Sequence, residues 1–130
     1  MTEPVFLHLD EVFAIHSDQV REYGGAPGVR DLALFQSAVA MAQASFDGVF
    51  LHGTIEEMAA AYLFHIVQNH PFIDGNKRAG LIAMLTFLAM NDRWIDAPQQ
   101  GLLELVLAVA EGKRGKPDAA VFIKAHARKY

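Results

Sequence analysis

The amino-acid sequence predicts an all-α fold, a compact bundle of about six helices with one short extended flap near residues 47–53. Three observations carry that prediction. Apolar residues recur at helical spacing, Gly and Pro punctuate the chain between those stretches, and capping residues stand at several of their starts. The first helix runs from Leu9 to Tyr23, with Leu9, Val12, Phe13, Ile15, His16, Gln19 and Val20 on one stripe, and Gly24-Gly25 ends it. Ala26-Pro27-Gly28 is a turn. Asp31 caps a second helix through about Ser45, with Leu32, Leu34, Phe35, Ala38, Val39 and Ala42 as its apolar face. From Phe46 to Gly53 the helical period is lost. Val49-Phe50-Leu51 lies there between Asp47-Gly48 and Gly53, as a short flap or partial hairpin.

Thr54-Ile55-Glu56-Glu57 is a capping box, in which hydroxyl and carboxylate satisfy each other's orphan amides. The third helix starts there and runs to about Asn69, because Pro71 prevents continuation. The fourth, Asn76 to about Asn91, is apolar on nearly all sides through Leu81, Ile82, Met84, Leu85, Phe87 and Leu88, which suits the middle of a bundle. Trp94-Ile95 reads as a short link, and Pro98 opens a fifth helix to about Glu111. Gly112 to Pro117 reads as a polar, basic loop. Asp118 then caps a final helix with Ala120, Val121, Ile123 and Ala127 directed inward. No internal repeat or linker interrupts residues 1–130, which are read as a single domain.

Composition excludes several classes. A chain of 130 residues that is 52% hydrophobic buries a real core and is not disordered. Eleven Lys and Arg against 15 Asp and Glu give a net charge of −4, which argues against direct nucleic-acid binding. Without cysteine there is neither a disulfide framework nor a thiolate nucleophile or ligand. Met1 to Asp10 carries no basic n-region and no sustained apolar run. The longest apolar stretch, Ala79 to Met90, is interrupted by Thr86 and falls short of the roughly 18 to 20 residues of a membrane span. The expectation is a cytoplasmic protein with no membrane partner.

The chemistry concentrates in His70-Pro71-Phe72-Ile73-Asp74-Gly75-Asn76-Lys77-Arg78. His70 can exchange a proton near neutral pH. Asp74 is a hard oxygen donor suited to Mg²⁺, which is usually held by one or two carboxylates together with substrate phosphates. Gly75 allows close backbone approach. Asn76, Lys77 and Arg78 open a helix whose free N–H groups suit an anion. Two cations in a first turn oppose the macrodipole by some tenths of a kcal/mol up to roughly 1. Their placement makes sense if a polyanion such as a nucleotide phosphate chain sits among them.

That stretch resembles the signature of the Fic/Doc family, with His, Phe, an acidic residue, Gly or Ala, Asn and Arg in the same order. The family is a small all-helical fold with a flap beside the signature loop, and its members transfer part of a nucleotide, usually AMP, to a protein hydroxyl. Within it, Asn76-Lys77-Arg78 and Tyr23-Gly24-Gly25-Ala26-Pro27-Gly28 look closest to the Doc (death on curing) toxins of Phd/Doc-type toxin–antitoxin pairs. Typical Fic members carry a second Arg where this chain has Leu81, and Gly where it has Lys77. In the Doc branch those changes accompany an inverted nucleotide pose, with the γ-phosphate facing the acceptor.

The resemblance therefore implies phosphorylation of a target, elongation factor Tu in the Doc branch, from ATP and Mg²⁺, and a halt in translation. Gly75 departs toward the Fic side and keeps AMP transfer open as the alternative, beside a third possibility of a binding module without chemistry. In the implied roles His70 accepts the hydroxyl proton and Asp74 holds the metal. The amides from Gly75 to Lys77 cradle phosphate, Lys77 and Arg78 clamp it, and Asn76 orients an oxygen or the loop. Val49, Phe50 and Leu51 would pair with an extended target segment by strand addition.

Singly, each residue has a plainer reading. Asp74 alone suits a helix cap, His70 a loop histidine, Lys77 and Arg78 a solvated turn. Their joint order reverses this. His65, five residues before His70, is poorly placed to chelate with it, and His16 reads as a packing or hydrogen-bonding residue. His8, His52 and His126 have no evident partners. Neither a Walker-A loop nor a protein-kinase signature set occurs. Control is expected from a separate chain. Fic-type inhibitory helices follow Ser/Thr-x-x-x-Glu-Gly/Asn and need the second Arg, whereas here Leu107 precedes Glu111-Gly112 and Leu81 replaces that Arg. The resemblance implies a small antitoxin whose disordered segment folds into a helix on an apolar groove near the flap, the signature loop and the first helices.

Overall fold

A computed structural model describes residues 3–130; Met1 and Thr2, which the N-terminal and single-domain readings include, lie outside the described residues. Six helices account for most of the chain: α1 (Leu9–Tyr23), α2 (Leu32–Ala40), α3 (Ile55–Asn69), α4 (Asn76–Met90), α5 (Gln99–Ala110) and α6 (Lys116–His126). Two antiparallel pairs of short strands complete it: β1 (Ser45–Phe46) with β2 (Val49–Phe50), and β3 (Arg93–Ile95) with β4 (Ala127–Lys129). No described helix is long and apolar enough to cross a membrane.

The centre of the bundle is α3, which packs on α2, α4, α5 and α6. Every residue from Met58 to Leu63 is buried, and Ile66 and Val67 follow. The sequence pointed to α4 for this place. In the structure Leu81, Ile82, Leu85 and Thr86 of α4 are only half-buried, whereas the small run Ala59-Ala60-Ala61 lets neighbours approach α3 from all sides. Close α3–α4 contact depends on Gly80. A Cβ there would stand 2.8 Å from Val67 Cγ2 and 3.3 Å from the Leu63 carbonyl oxygen.

Several boundaries differ from the sequence reading, each for a physical reason. The second helix stops at Ala40 and tightens into a 3₁₀ turn, Met41–Gln43, so Ser45 is already a strand residue. Asp47 and Gly48 both have positive φ, 51° and 76°, the pair of left-handed residues that a two-residue hairpin turn needs. The flap is therefore a β-hairpin. Leu32 stands exposed at the start of α2, not in its apolar face.

Trp94 and Ile95 are not a free link but part of β3, and Ala127 leaves the last helix to pair with Ile95. A three-residue pairing across some thirty positions has no local pattern to announce it. The last helix also begins earlier, at Lys116, with Pro117 in its first turn, where proline is favoured. Asp118 serves that end from inside, accepting the Gly115 N–H at 2.8 Å. Val121 is 68% exposed; the buried stripe of α6 is Ala119, Ala120 and Ile123.

Candidate active site

The loop between α3 and α4 is fixed by backbone conformation and by the segment that precedes α2. His70 ends α3 in the left-handed region (φ 50°, ψ 54°), which turns the chain sharply ahead of Pro71. Arg30 holds that end: its Nε donates to the His70 carbonyl at 2.6 Å and its Nη2 to the Asn69 carbonyl at 3.0 Å. A cation on the last carbonyls of a helix complements the macrodipole. The Arg30 and Asp31 amides donate to the Pro71 carbonyl at 2.7 and 3.2 Å, and Ile73 N–H donates to the Gly28 carbonyl at 3.1 Å.

Phe72 anchors the loop. It is fully buried, stacked face to face on His16 at 3.7 Å between centroids and tilted against Phe35 at 4.9 Å. Asn76, 5% exposed at the start of α4, is the hydrogen-bonding hub. Its Oδ1 accepts the Phe72 N–H at 2.9 Å, which fixes the amide orientation. Its Nδ2 then donates to the Phe72 carbonyl at 3.0 Å and to His70 Nδ1 at 3.1 Å. The histidine ring is exposed to solvent yet held in orientation, with its lone pair on Nδ1 in this contact. Proton uptake at Nε2 requires the opposite tautomer and release of the Asn76 contact.

Asp74 is exposed and does not cap α4. Its Oδ1 accepts the Gly75 N–H at 2.9 Å, and its Oδ2 lies 3.4 Å from the Ala26 amide. Gly75 is itself the N-cap, in the left-handed region at φ 77°, so the first turn of α4 has no side-chain cap and no acidic residue. Lys77 and Arg78 stand exposed in that turn. The Arg78 guanidinium lies over the Tyr23 ring at 5.3 Å, a cation–π contact with the end of α1.

These groups surround one cavity of about 330 Å³. His70, Asp74, Gly75, Asn76, Lys77 and Arg78 all line it, so the predicted signature residues come together. Val49, Phe50 and Leu51 do not line it. Val49 and Leu51 are 68% and 61% exposed on the hairpin, while Phe50 turns its ring onto Phe6 at 5.6 Å. The other side of the cavity is Tyr23-Gly24-Gly25, which sequence reasoning took as a helix stop and a family mark without a role. A Cβ on Gly25 would fall 2.9 Å from Asp74 Oδ2, so this segment abuts the carboxylate directly. His16 and Arg30 are further supports that sequence spacing did not reveal, because both reach the loop from elements some 40 or more positions away.

The donor set fits Mg²⁺ shared with a nucleotide. Among the described residues no group of three or more His, Asp or Glu side chains gathers to hold a metal unaided. A single exposed carboxylate beside an uncapped helix N-terminus and two cations suits an ion whose remaining ligands are phosphate oxygens and water.

An all-helical bundle thus presents, between α3 and α4, a loop whose His70, Asp74, Lys77 and Arg78 line one cavity at a helix N-terminus without a side-chain cap. The Fic/DOC family description matches residues 6–88, more than half of the chain and every residue lining the cavity, and the chain belongs to that family. It is similar to the protein named Toxin Doc from Mycolicibacterium smegmatis, 42% identical over 69 residues that make up 53% of each chain. The matched part thus spans about half of that relative. It is also similar to Protein kinase doc of Escherichia phage P1, 30% identical over 107 residues, 80% of this chain and 81% of that one.

Proposed function

We propose that this chain is a Doc-like toxin that transfers the γ-phosphate of ATP to a hydroxyl of a target protein. The observation that carries this reading is the convergence of His70, Asp74, Lys77 and Arg78 on one cavity at an uncapped helix N-terminus. The relatives named as a Doc toxin and as a protein kinase support it. The residues 1–130 act in this reading as one Fic/Doc domain in the cytoplasm.

Each residue has a task in that transfer. Lys77, Arg78 and the amides from Gly75 to Lys77 bind the phosphate chain and offset charge that builds on its oxygens. Asp74 would hold Mg²⁺, which would supply charge neutralisation at the phosphates. His70 takes the proton of the attacking hydroxyl, after its ring leaves Asn76 in the Nε2-basic tautomer. Tyr23 steadies Arg78. The exposed edge of the hairpin at Val49 to Leu51 receives an extended target segment, elongation factor Tu by resemblance. Neutralisation comes from a small antitoxin whose segment folds on binding.

The test uses purified protein, Mg²⁺ and ATP labelled on either the γ- or the α-phosphate, with a translation extract as the source of acceptor. Label entering protein from the γ position alone is the expected result. Label entering from the α position would replace this reading by AMP transfer. No label from either would leave only a binding role.

A further inference from the structure

His16 stands apart from the residues assigned so far. It is 1% exposed on α1, and its hydrogen bond and its aromatic stack are both with the signature loop. One face of its ring lies on Phe72, nearly parallel at 2° and 3.7 Å between centroids, and its Nε2 is 2.6 Å from the Asp74 carbonyl oxygen. The loop backbone runs directly against the ring, since a Cβ on Gly75 would stand 3.5 Å from Nε2. Burial of an imidazole for packing alone is poorly rationalised, because an apolar ring fills the same space without a polar edge to satisfy.

We infer that His16 is a positioning residue, which fixes the plane of the Asp74–Gly75 peptide by donating from Nε2 to the Asp74 carbonyl. The consequence follows from peptide geometry. In a trans peptide the C=O and N–H point in opposite directions. Holding the Asp74 carbonyl toward α1 therefore turns the Gly75 N–H to the other side, where it meets Asp74 Oδ1 at 2.9 Å. Gly75 has φ 77°, and glycine reaches the mirror conformation at no steric cost, so nothing intrinsic to the residue prevents this peptide from flipping. A flip would swing the first amide of the phosphate cradle away and release the carboxylate proposed to hold the metal. His16 is the lock against it. This role rests on the proposed phosphate-binding function of the loop, although the peptide geometry itself does not.

The test separates the hydrogen bond from the packing. Nitrogen NMR of the wild-type ring is expected to show a proton on Nε2; a ring with Nδ1 protonated and Nε2 bare overturns the inference without any variant. His16→Phe keeps the stack on Phe72 and removes the donor, whereas His16→Gln restores an amide donor at similar reach. The expected result for His16→Phe is faster hydrogen exchange of the Gly75 amide, by about tenfold or more, and transfer reduced by about 10²-fold. His16→Gln should recover most of both, and thermal midpoints should stay close among all three proteins. Unchanged Gly75 exchange and transfer in His16→Phe would overturn the inference. So would equal losses in both variants that track their thermal midpoints, since that pattern marks packing alone. If the wild type transfers nothing, the proposed function fails, and the tautomer and exchange results still decide the role of His16.

Discussion

The two ends of α3 are built to opposite principles. At its start the Thr54 Oγ1 accepts the Glu57 N–H at 3.1 Å and bonds its carboxylate at 3.2 Å, while Lys124 donates to the same oxygen at 3.1 Å. The Lys124 hydrogen bond is the main reason that the Glu57 carboxyl titrates below its ordinary range. Every local charge there has a partner. At the far end His70 and Gly75 both adopt left-handed backbone, α4 begins without a side-chain cap, and two cations stand in a first turn. Such conformations at a non-glycine residue cost about 1–2 kcal/mol, and the cations oppose the dipole. One end is arranged for stability, the other, in the proposed function, for a ligand. Departures from local consistency mark the place where the chain meets something else.

Substitutions at the loop should affect function without stability, and those at the capped end the reverse. The largest effect is expected from His70→Ala. Transfer should fall about 10²- to 10⁴-fold, and growth arrest on expression without a partner should disappear, with the thermal midpoint near wild type. Equal toxicity of the two proteins would remove the catalytic role. Asp74→Ala should abolish Mg²⁺-dependent nucleotide use in the same assay. Because its side chain holds only the Gly75 amide and a longer contact to Ala26, its stability should change by less than about 1 kcal/mol. A larger stability loss with activity intact would make Asp74 a structural residue.

The contact between α3 and the start of α6 should show its own pH dependence. Burial first, then the positive charges of Lys116 and His52, hold the His65 ring down to about 4 from an ordinary value of 6.5. Lys116 lies 3.0 Å from its Nε2. Between those values the unfolded chain binds a proton that the folded ring refuses. Stability is therefore full above pH 6.5 and falls as pH drops toward 4, by at most about 3 kcal/mol and less to the extent that solvent screens the partly exposed ring. Denaturant melts across that range check the slope, which His65→Gln should flatten. A slope unchanged by that substitution would place its origin elsewhere. The smallest effect is that of Thr54→Ala, about 0.5 to 2 kcal/mol of stability, with transfer per folded molecule unchanged.

Much of this division was legible in the sequence, but unevenly. The ends of α1 and α3 follow from Gly24-Gly25, the Thr54 cap and Pro71, which act through their immediate neighbours; of the expected capping box only the Thr54 half forms, because the Glu57 carboxylate takes the Thr54 hydroxyl instead of its amide. The signature residues were found because order along nine positions maps directly onto one loop and one helix turn. What escaped depends on distance in the chain. The β3–β4 pair and the abutment of Gly25 on Asp74 join segments that no short window contains together. His16 reads in the sequence as a packing or hydrogen-bonding residue of the α1 stripe, and only the fold shows that it faces Phe72 and the Asp74 carbonyl. Pro117 and Asp118 misled by one helical turn, because proline inside a first turn and proline in a loop look alike in sequence.

In the proposed function the cavity between α1 and α4 phosphorylates a protein. The most direct measurement is the intact mass of purified elongation factor Tu after incubation with this protein, ATP and Mg²⁺, with the His70→Ala variant in parallel. The expected result is a gain of one phosphate group that the variant does not produce. A gain of AMP, or a target of unchanged mass with both proteins, would contradict it.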